Sequence, residues 1–409
     1  MVPCGGKIFT RECGRYMNMQ KQAVIYGGGN IGRGFIGQLF YESGYETAFI
    51  DVNKELIDLI NAKKEYPVRF SDTDSGTIIK NIRGINGSSE NLNEISDVIS
   101  KADIMATAVG ANILKFIMKP VAEGIKRRFC GNNFTPLDII LCENLIGADK
   151  IMREGVAEHI GADFFDLYNE KIGFAGASVG RMVPIQTDAM KAGNPLQIVT
   201  ESYKDLYVDK DALKGVFPKI KNITAYSPFE YIISRKLFIH NMGHAVCAYL
   251  GDIAGYEYIW QAAGDPYING IAKKAMECSA LALQKIYGEP DCGYISDLLR
   301  RFANKALGDT AGRVGNDLKR KLAPNDRLAG AYKICLENDI PVNYICCTIA
   351  AAANFRGDPL SGKPLEFILK EAGSYDMISK NPDNLALILK YDKAIKSGAS
   401  IRQICIDSG

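Results

Sequence analysis

Histidine is scarce in this chain, with only three in 409 residues: His159, His240 and His244. The eleven cysteines are scattered, Cys346-Cys347 is the one close pair, and no C-x2-C spacing occurs. Zinc sites draw on such ligands in clusters, so the sequence offers no convincing metal centre. A run of roughly eighteen apolar residues, enough to span a bilayer, is also missing. Neither sign of charge dominates: 49 Lys and Arg stand against 47 Asp and Glu, a formal net charge of +2. That balance points away from nucleic acid and from an acidic solvating tail. The first twenty residues, MVPCGGKIFTRECGRYMNMQ, lack the apolar core of a secretory signal. They read as an extension, disordered or upstream of an internal start at Met17 or Met19. Scattered cysteines without a secretory signal suggest reduced thiols in a cytoplasm.

What the chain does have is enough apolar material, 47% of its residues, for two domains. From residue 21 the pattern is strand, glycine turn, helix. Strands are expected at 23–26, 47–50, 102–109, 138–142, 173–184 and 196–200, with a short-stranded excursion at 69–87. Asn53 is placed to cap the helix that buries Leu56, Ile57 and Ile60. Strands alternating with helices predict an α/β fold with a doubly wound, Rossmann-type parallel sheet. After the turn signal Ser227-Pro228 the pattern becomes helical, beginning with a helix over 229–250. The expected organisation is therefore an extension over 1–20, a dinucleotide-binding domain over 21–226 and a mainly α-helical substrate domain over 227–409.

Two stretches carry chemistry. The first is Gly27-x-Gly29-x-x-Gly32, which encloses Asn30 and Ile31. G-x-G-x-x-G alone is a weak signal in a chain with forty glycines. Its context is stronger: a strand precedes it, a helix follows, and Asp51 comes nineteen residues after Gly32 at the end of the next strand. Gly27 allows a tight turn, Gly29 lets a pyrophosphate approach the backbone, and Gly32 lets helix and strand pack closely. The helix N-terminus then offers free N–H groups to the phosphates. Asp51 is suited to ribose hydroxyls and repels a 2′-phosphate, which predicts NAD rather than NADP. The second stretch is RKLFIHNMGHAVCAYL, with Lys236, Asn241 and His244 at i, i+5 and i+8. At α-helical pitch these fall at roughly 0°, 140° and 80°, so all three can face one side. Their apolar neighbours would bury that helix at the opening of the second domain.

K-x4-N-x2-H on a helix is the signature of the polyol-specific long-chain dehydrogenases, and KLF-x-x-N-x-GHA-x-x-AYLG closely resembles that family. GGGNIGRGFIG is similar to its glycine loop. Thr107-Ala108-Val109-Gly110, Cys142-Glu143-Asn144, Arg313-Val314-Gly315 and Asp326-Arg327-Leu328 follow in the expected order. The resemblance runs from about residue 23 to about 356. Length without the extension matches the shorter sugar-phosphate branch of the family. Two departures stand out: Gly180 lies where an acid is common, and His240 where a small or apolar residue is usual.

The resemblance implies metal-independent chemistry with Lys236 as general base. A lysine can serve only if burial and nearby positive charge lower its pKa. Asn241 and Asn144 would donate to the reacting oxygen, His244 would orient a substrate hydroxyl, and Ala108, Val109 and Gly110 would border the cofactor. Arg313 and Lys321 match positions that face the polyol, and Arg320 joins them in a basic stretch suited to a phosphate. The implied activity is NAD-dependent interconversion of mannitol 1-phosphate and fructose 6-phosphate by a monomer or homodimer. The alternatives are an unphosphorylated mannitol or hexuronate substrate, or an NAD-responsive regulatory protein that kept only the fold.

Overall fold

The structure, a computed structural model, describes residues 20–408 except 74 and 146. The expected extension, up to residue 19, lies outside the described residues. Eight strands form the main sheet: β1 (Gln22–Tyr26), β2 (Glu46–Asp51), β3 (Ile82–Asn86), β4 (Ile104–Thr107), β5 (Leu137–Leu141), β6 (Ile172–Val179), β7 (Leu206–Asp209) and β8 (Ile223–Tyr226). Their order across the sheet is β8-β7-β6-β5-β4-β1-β2-β3. Every pairing from β3 to β6 is parallel, and β7 runs antiparallel to β6. The central strands are apolar almost throughout, with Val24, Ile25, Phe49, Ile50, Met105 and Ile140 all fully buried. That composition suits a parallel sheet covered on both faces, and a separate apolar core lies on each face.

The first six strands take the order 3-2-1-4-5-6, which reverses direction between β1 and β4. Ligands of such sheets bind beyond the carboxyl ends of the strands at that reversal. Register makes the edge level there. Tyr26 pairs with Ile50 on one side and Thr107 on the other, and Thr107 pairs with Leu141. Gly27, Asp51, Ala108 and Cys142, each the residue after or at the end of its strand, are thereby lined up along one rim.

Some expected strands are shorter or differently used. Residues 102–109 contribute only Ile104–Thr107 to the sheet. The expected strand over 173–184 ends at Val179. Beyond it the chain turns inward on the buried Arg181 side chain, which donates to Glu201 O, Gly34 O and Gln38 Oε1. Ile198–Thr200 joins a separate three-stranded sheet with Tyr66–Phe70 and Gly76–Ile79.

Past Tyr226 the structure is helical. A continuous helix runs through Phe229–Arg235, Lys236–Asn241 and Met242–Ala254. From Ala245 to Leu250 every residue is fully buried, as expected of a helix surrounded by others. The helix Pro266–Tyr287 packs against it, starting at Asp265, whose Oδ1 accepts from the N–H groups of Tyr267 and Ile268 at 2.8 and 3.1 Å. Proline at the first position completes that start. Gly243 is the close-approach point: a Cβ there would run into the Met276 side chain. No described helix is long and apolar enough to cross a membrane.

Candidate active site

The glycine loop shows which of its positions is open. Gly27 has φ +106°, and a Cβ on it would strike the Ala108 carbonyl; one on Gly32 would strike the Gly27 carbonyl. A Cβ on Gly29 would meet nothing within 4 Å. The first and third glycines are thus required by packing, while the second faces free space where a pyrophosphate could lie against the backbone. Asn30 and Ile31 open the helix, and Asn30 Nδ2 reaches Pro184 O at 3.4 Å. Asp51 Oδ2 accepts from Gly28 N–H at 2.7 Å and Oδ1 from Asn53 N–H at 2.9 Å. These bonds fix the carboxylate at the rim without closing it off. Arg33 does not face this space. It is buried and donates to Gly28 O and Leu196 O, both at 2.7 Å, tying the loop to the small sheet. Ala108, Val109 and Gly110 lie across the reversal point. Glu143, to which the Cys142-Glu143-Asn144 motif alone assigns no role, holds them: its carboxylate accepts from Val109 and Gly110 N–H at 3.0 and 2.7 Å.

Lys236, Asn241 and His244 line one cleft of about 300 Å³ together with Asn144, Cys142, His240 and Arg313. The stretch from Lys236 to Asn241 is a π-turn rather than regular α-helix, and Met242 N–H bonds to Leu237 O five residues back. Regular α-helical pitch would set Lys236 and Asn241 about 140° apart; the π-turn instead sets residues five apart nearly above one another, which favours the two on one face. Asn144 and Asn241 also border a second recess beside Lys236 that includes Arg320 and Arg327. Burial lowers the Lys236 pKa from 10.5 to about 8; the Arg327 charge adds to the fall and Cys142 opposes it. Arg327 is itself paired with Asp326 at 2.8 Å.

At the other end of the cleft His244 stacks on Phe302, with ring centroids 4.9 Å apart. Its Nε2 lies 3.3 Å from Asp309 Oδ2, near enough for an ion pair but without the alignment of a hydrogen bond. Asp309 also accepts from Arg313 Nε at 2.6 Å. Burial pushes the Asp309 carboxyl up, yet His244 and Arg313 together hold it below its ordinary value. Asp309 was not singled out in the sequence, and nothing short of its spacing to Arg313 would have pointed to it.

The three basic candidates separate. Arg313 lines the cleft with its side chain half exposed. Arg320 borders the second recess and pairs with Asp317 at 2.6 Å. Lys321 is not brought to the cleft. It is buried, and its ammonium donates to the carbonyls of Val314 and Asn316, bracing the turn that follows Arg313. Gly180, the position where an acid is usual, carries no charge to lose. Glu201 supplies one instead, pairing with the buried Arg301 at 2.6 Å, while Arg301 also donates to Gly180 O. Among the described residues no group of three or more His, Cys, Asp or Glu is placed to hold a metal ion.

Strand order, open glycine loop and a lysine-bearing cleft between sheet and helices define a two-domain dehydrogenase on a dinucleotide-binding fold. Comparison with known proteins narrows this. The mannitol dehydrogenase Rossmann domain matches residues 21–222 and the mannitol dehydrogenase C-terminal domain matches residues 228–373. The chain belongs to the mannitol dehydrogenase family. It is 40% identical over 344 residues to a mannitol-1-phosphate 5-dehydrogenase of Oceanobacillus iheyensis, covering 83% of this chain and 87% of that one. It is 37% identical over 387 residues to the protein of that name from Thermoanaerobacter pseudethanolicus, covering 92% and 98%. In fold it is similar to mannitol 2-dehydrogenase of Pseudomonas fluorescens, solved with NAD and D-mannitol, at TM-score 0.71, 14% identity and coverage of 95% and 94%. A D-sorbitol dehydrogenase superposes at TM-score 0.75, also with 14% identity and coverage of 95% and 94%.

Proposed function

We propose that this protein interconverts mannitol 1-phosphate and fructose 6-phosphate with NAD, using Lys236 as general base. The observation that carries the proposal is the half-buried lysine of lowered pKa in one cleft with two side-chain amides, in a chain 40% identical to a mannitol-1-phosphate 5-dehydrogenase. NAD, when bound, supplies the hydride acceptor. Gly29 and the N–H groups at the helix start would hold its pyrophosphate, Asp51 its ribose hydroxyls, and the Ala108–Gly110 turn would border it. The free amine of Lys236 takes the proton of the reacting hydroxyl. Asn144 and Asn241 donate to the oxygen as charge grows on it, a contribution of about 3 kcal/mol for one such donor. His244, backed by Asp309, orients a neighbouring hydroxyl. Arg313 at the cleft rim is the assigned phosphate anchor, with Arg320 in the second recess as the other candidate.

The domain limits suggested by the sequence, 21–226 and 227–409, are retained as part of this proposal. The partner is a hexitol or ketose phosphate, and the assembly is a monomer or a homodimer. Cys142, Cys247 and Cys335 are buried free thiols, in keeping with a reducing cytoplasm. The test is NADH formation with mannitol 1-phosphate and with mannitol, beside NADH oxidation with fructose 6-phosphate, fructuronate and tagaturonate. A preference for the phosphorylated pair is expected. Equal turnover with and without the phosphate, or preference for a hexuronate, overturns the substrate assignment.

A further inference from the structure

Along the central helix Lys236, His240 and His244 follow at intervals of four residues, and all three line the cleft. The reaction proposed above uses the first and the last. His240 has no part in it, although it is only 5% exposed and departs from the small or apolar residue the family resemblance leads one to expect. Its ring is held in place 5.7 Å from the Phe302 ring and 6.4 Å from that of His244. Its Nδ1 is buried and has no hydrogen-bond partner. An apolar side chain would occupy this place without leaving a polar atom unsatisfied.

The chemistry of the ring narrows the ligand group. Burial, with the charges of Arg301, His244, Lys236 and Arg327, pushes the His240 pKa well below its ordinary value, so the imidazole is neutral. A neutral imidazole has one N–H and one lone pair. It complements a hydroxyl, which donates and accepts, and lacks the charge that favours phosphate binding. Its place in the row, between the lysine that serves the reacting carbon and the His244–Asp309–Arg313 end, corresponds to the middle of an extended hexitol.

We propose that His240 is a specificity-determining residue whose imidazole hydrogen-bonds a hydroxyl in the middle of the substrate's carbon chain. This rests on the polyol-phosphate reading above and adds a contact to it. The experiment is a cycle of kcat/KM values for wild type, His240→Leu and His240→Asn, each with mannitol 1-phosphate and its 3-deoxy and 4-deoxy analogues. His240→Leu should lose about tenfold on the parent substrate, and almost nothing on the one analogue that lacks the contacted hydroxyl. Wild type should lose about tenfold on that same analogue. His240→Asn, which keeps a neutral donor and acceptor on the side chain, should recover part of the loss, and it carries the test if the leucine variant fails to fold. NADH affinity, read by fluorescence titration, should be unchanged in both variants. Equal losses on all three substrates, no loss on any, or a matching fall in NADH affinity would overturn the assignment. If wild type does not turn over mannitol 1-phosphate, the substrate reading is what has failed. The same cycle with mannitol and its deoxy forms then decides the role of His240.

Discussion

Replacing Lys236 with methionine should damage the reaction and strengthen the fold. Methionine keeps an unbranched apolar stem of similar length and removes the ammonium. Loss of a general base costs roughly 10²- to 10⁴-fold in turnover. Stability moves the other way because the fold holds this proton less tightly than the unfolded chain does. A fall from 10.5 to about 8 is worth roughly 3 kcal/mol at about 1.36 kcal/mol per pH unit. Lys236 is partly accessible from the cleft, so a gain of about 1–2 kcal/mol is the expected size after solvent screening. The cost of the buried ammonium is fully present below pH 8. It is relieved as pH rises from about 8 toward 10.5, where the unfolded chain binds the extra proton. Urea denaturation of wild type and Lys236→Met at a series of pH values reads this directly, as a difference in midpoint at unchanged slope. The variant should be the more stable at pH 7, and its advantage should shrink through that window. A variant less stable than wild type at pH 7, or an advantage indifferent to pH, would refute the buried-charge argument. The same proton shapes the kinetics. Alcohol oxidation needs the free amine, so log kcat/KM should climb with unit slope and level near pH 8; ketone reduction needs the ammonium and should decline above that point.

Other parts of the structure make their own demands. Gly29→Ala should leave the melting temperature almost unchanged and weaken NADH binding, whereas Gly32→Ala should lower the melting temperature because its Cβ meets the Gly27 carbonyl; the reverse order would contradict the geometry of the loop. Glu201→Gln leaves the buried Arg301 guanidinium with only the more distant, partly exposed Asp297 at 3.6 Å as counter-charge, and chemical denaturation should show a loss of about 3 kcal/mol. Arg313→Met should raise KM for mannitol 1-phosphate about tenfold or more while barely altering any activity on mannitol, and equal effects on the two substrates would move the phosphate away from Arg313. Lys321→Met should act on stability first, since that ammonium braces backbone carbonyls, and a thermal melt beside KM separates the two effects.

The glycine loop, Asp51 and the lysine helix were legible because each depends on local pattern: a strand, a turn that only glycine can make, and apolar neighbours at helical spacing. Glu143 and Asp309 were not, because each acts on partners set by the fold. Glu143 clamps amides 33 and 34 positions away, and no periodicity encodes that. The surroundings of Lys321 are hidden in the sequence for a related reason. A lysine among basic residues looks solvated or ligand-facing, and only the course of the chain shows the carbonyls of Val314 and Asn316 turned toward its ammonium. The overlong strand expected over 173–184 has the same origin. Its apolar alternation continues past Val179, but the buried Arg181 draws the backbone away from the sheet.

The π-turn at Lys236–Asn241 also makes the active helix sensitive to register. A π-turn amounts to one extra residue accommodated within an α-helix. Deleting a single residue from this turn would restore ordinary α-helix and leave most of the packing alphabet intact. That extra residue is what lets His244 share the lysine's face: eight residues at ordinary pitch would leave the two about 80° apart, whereas a turn that absorbs one of them brings them within about 20°. In this helix, sequence length between two side chains is as much a part of the catalytic apparatus as the side chains themselves.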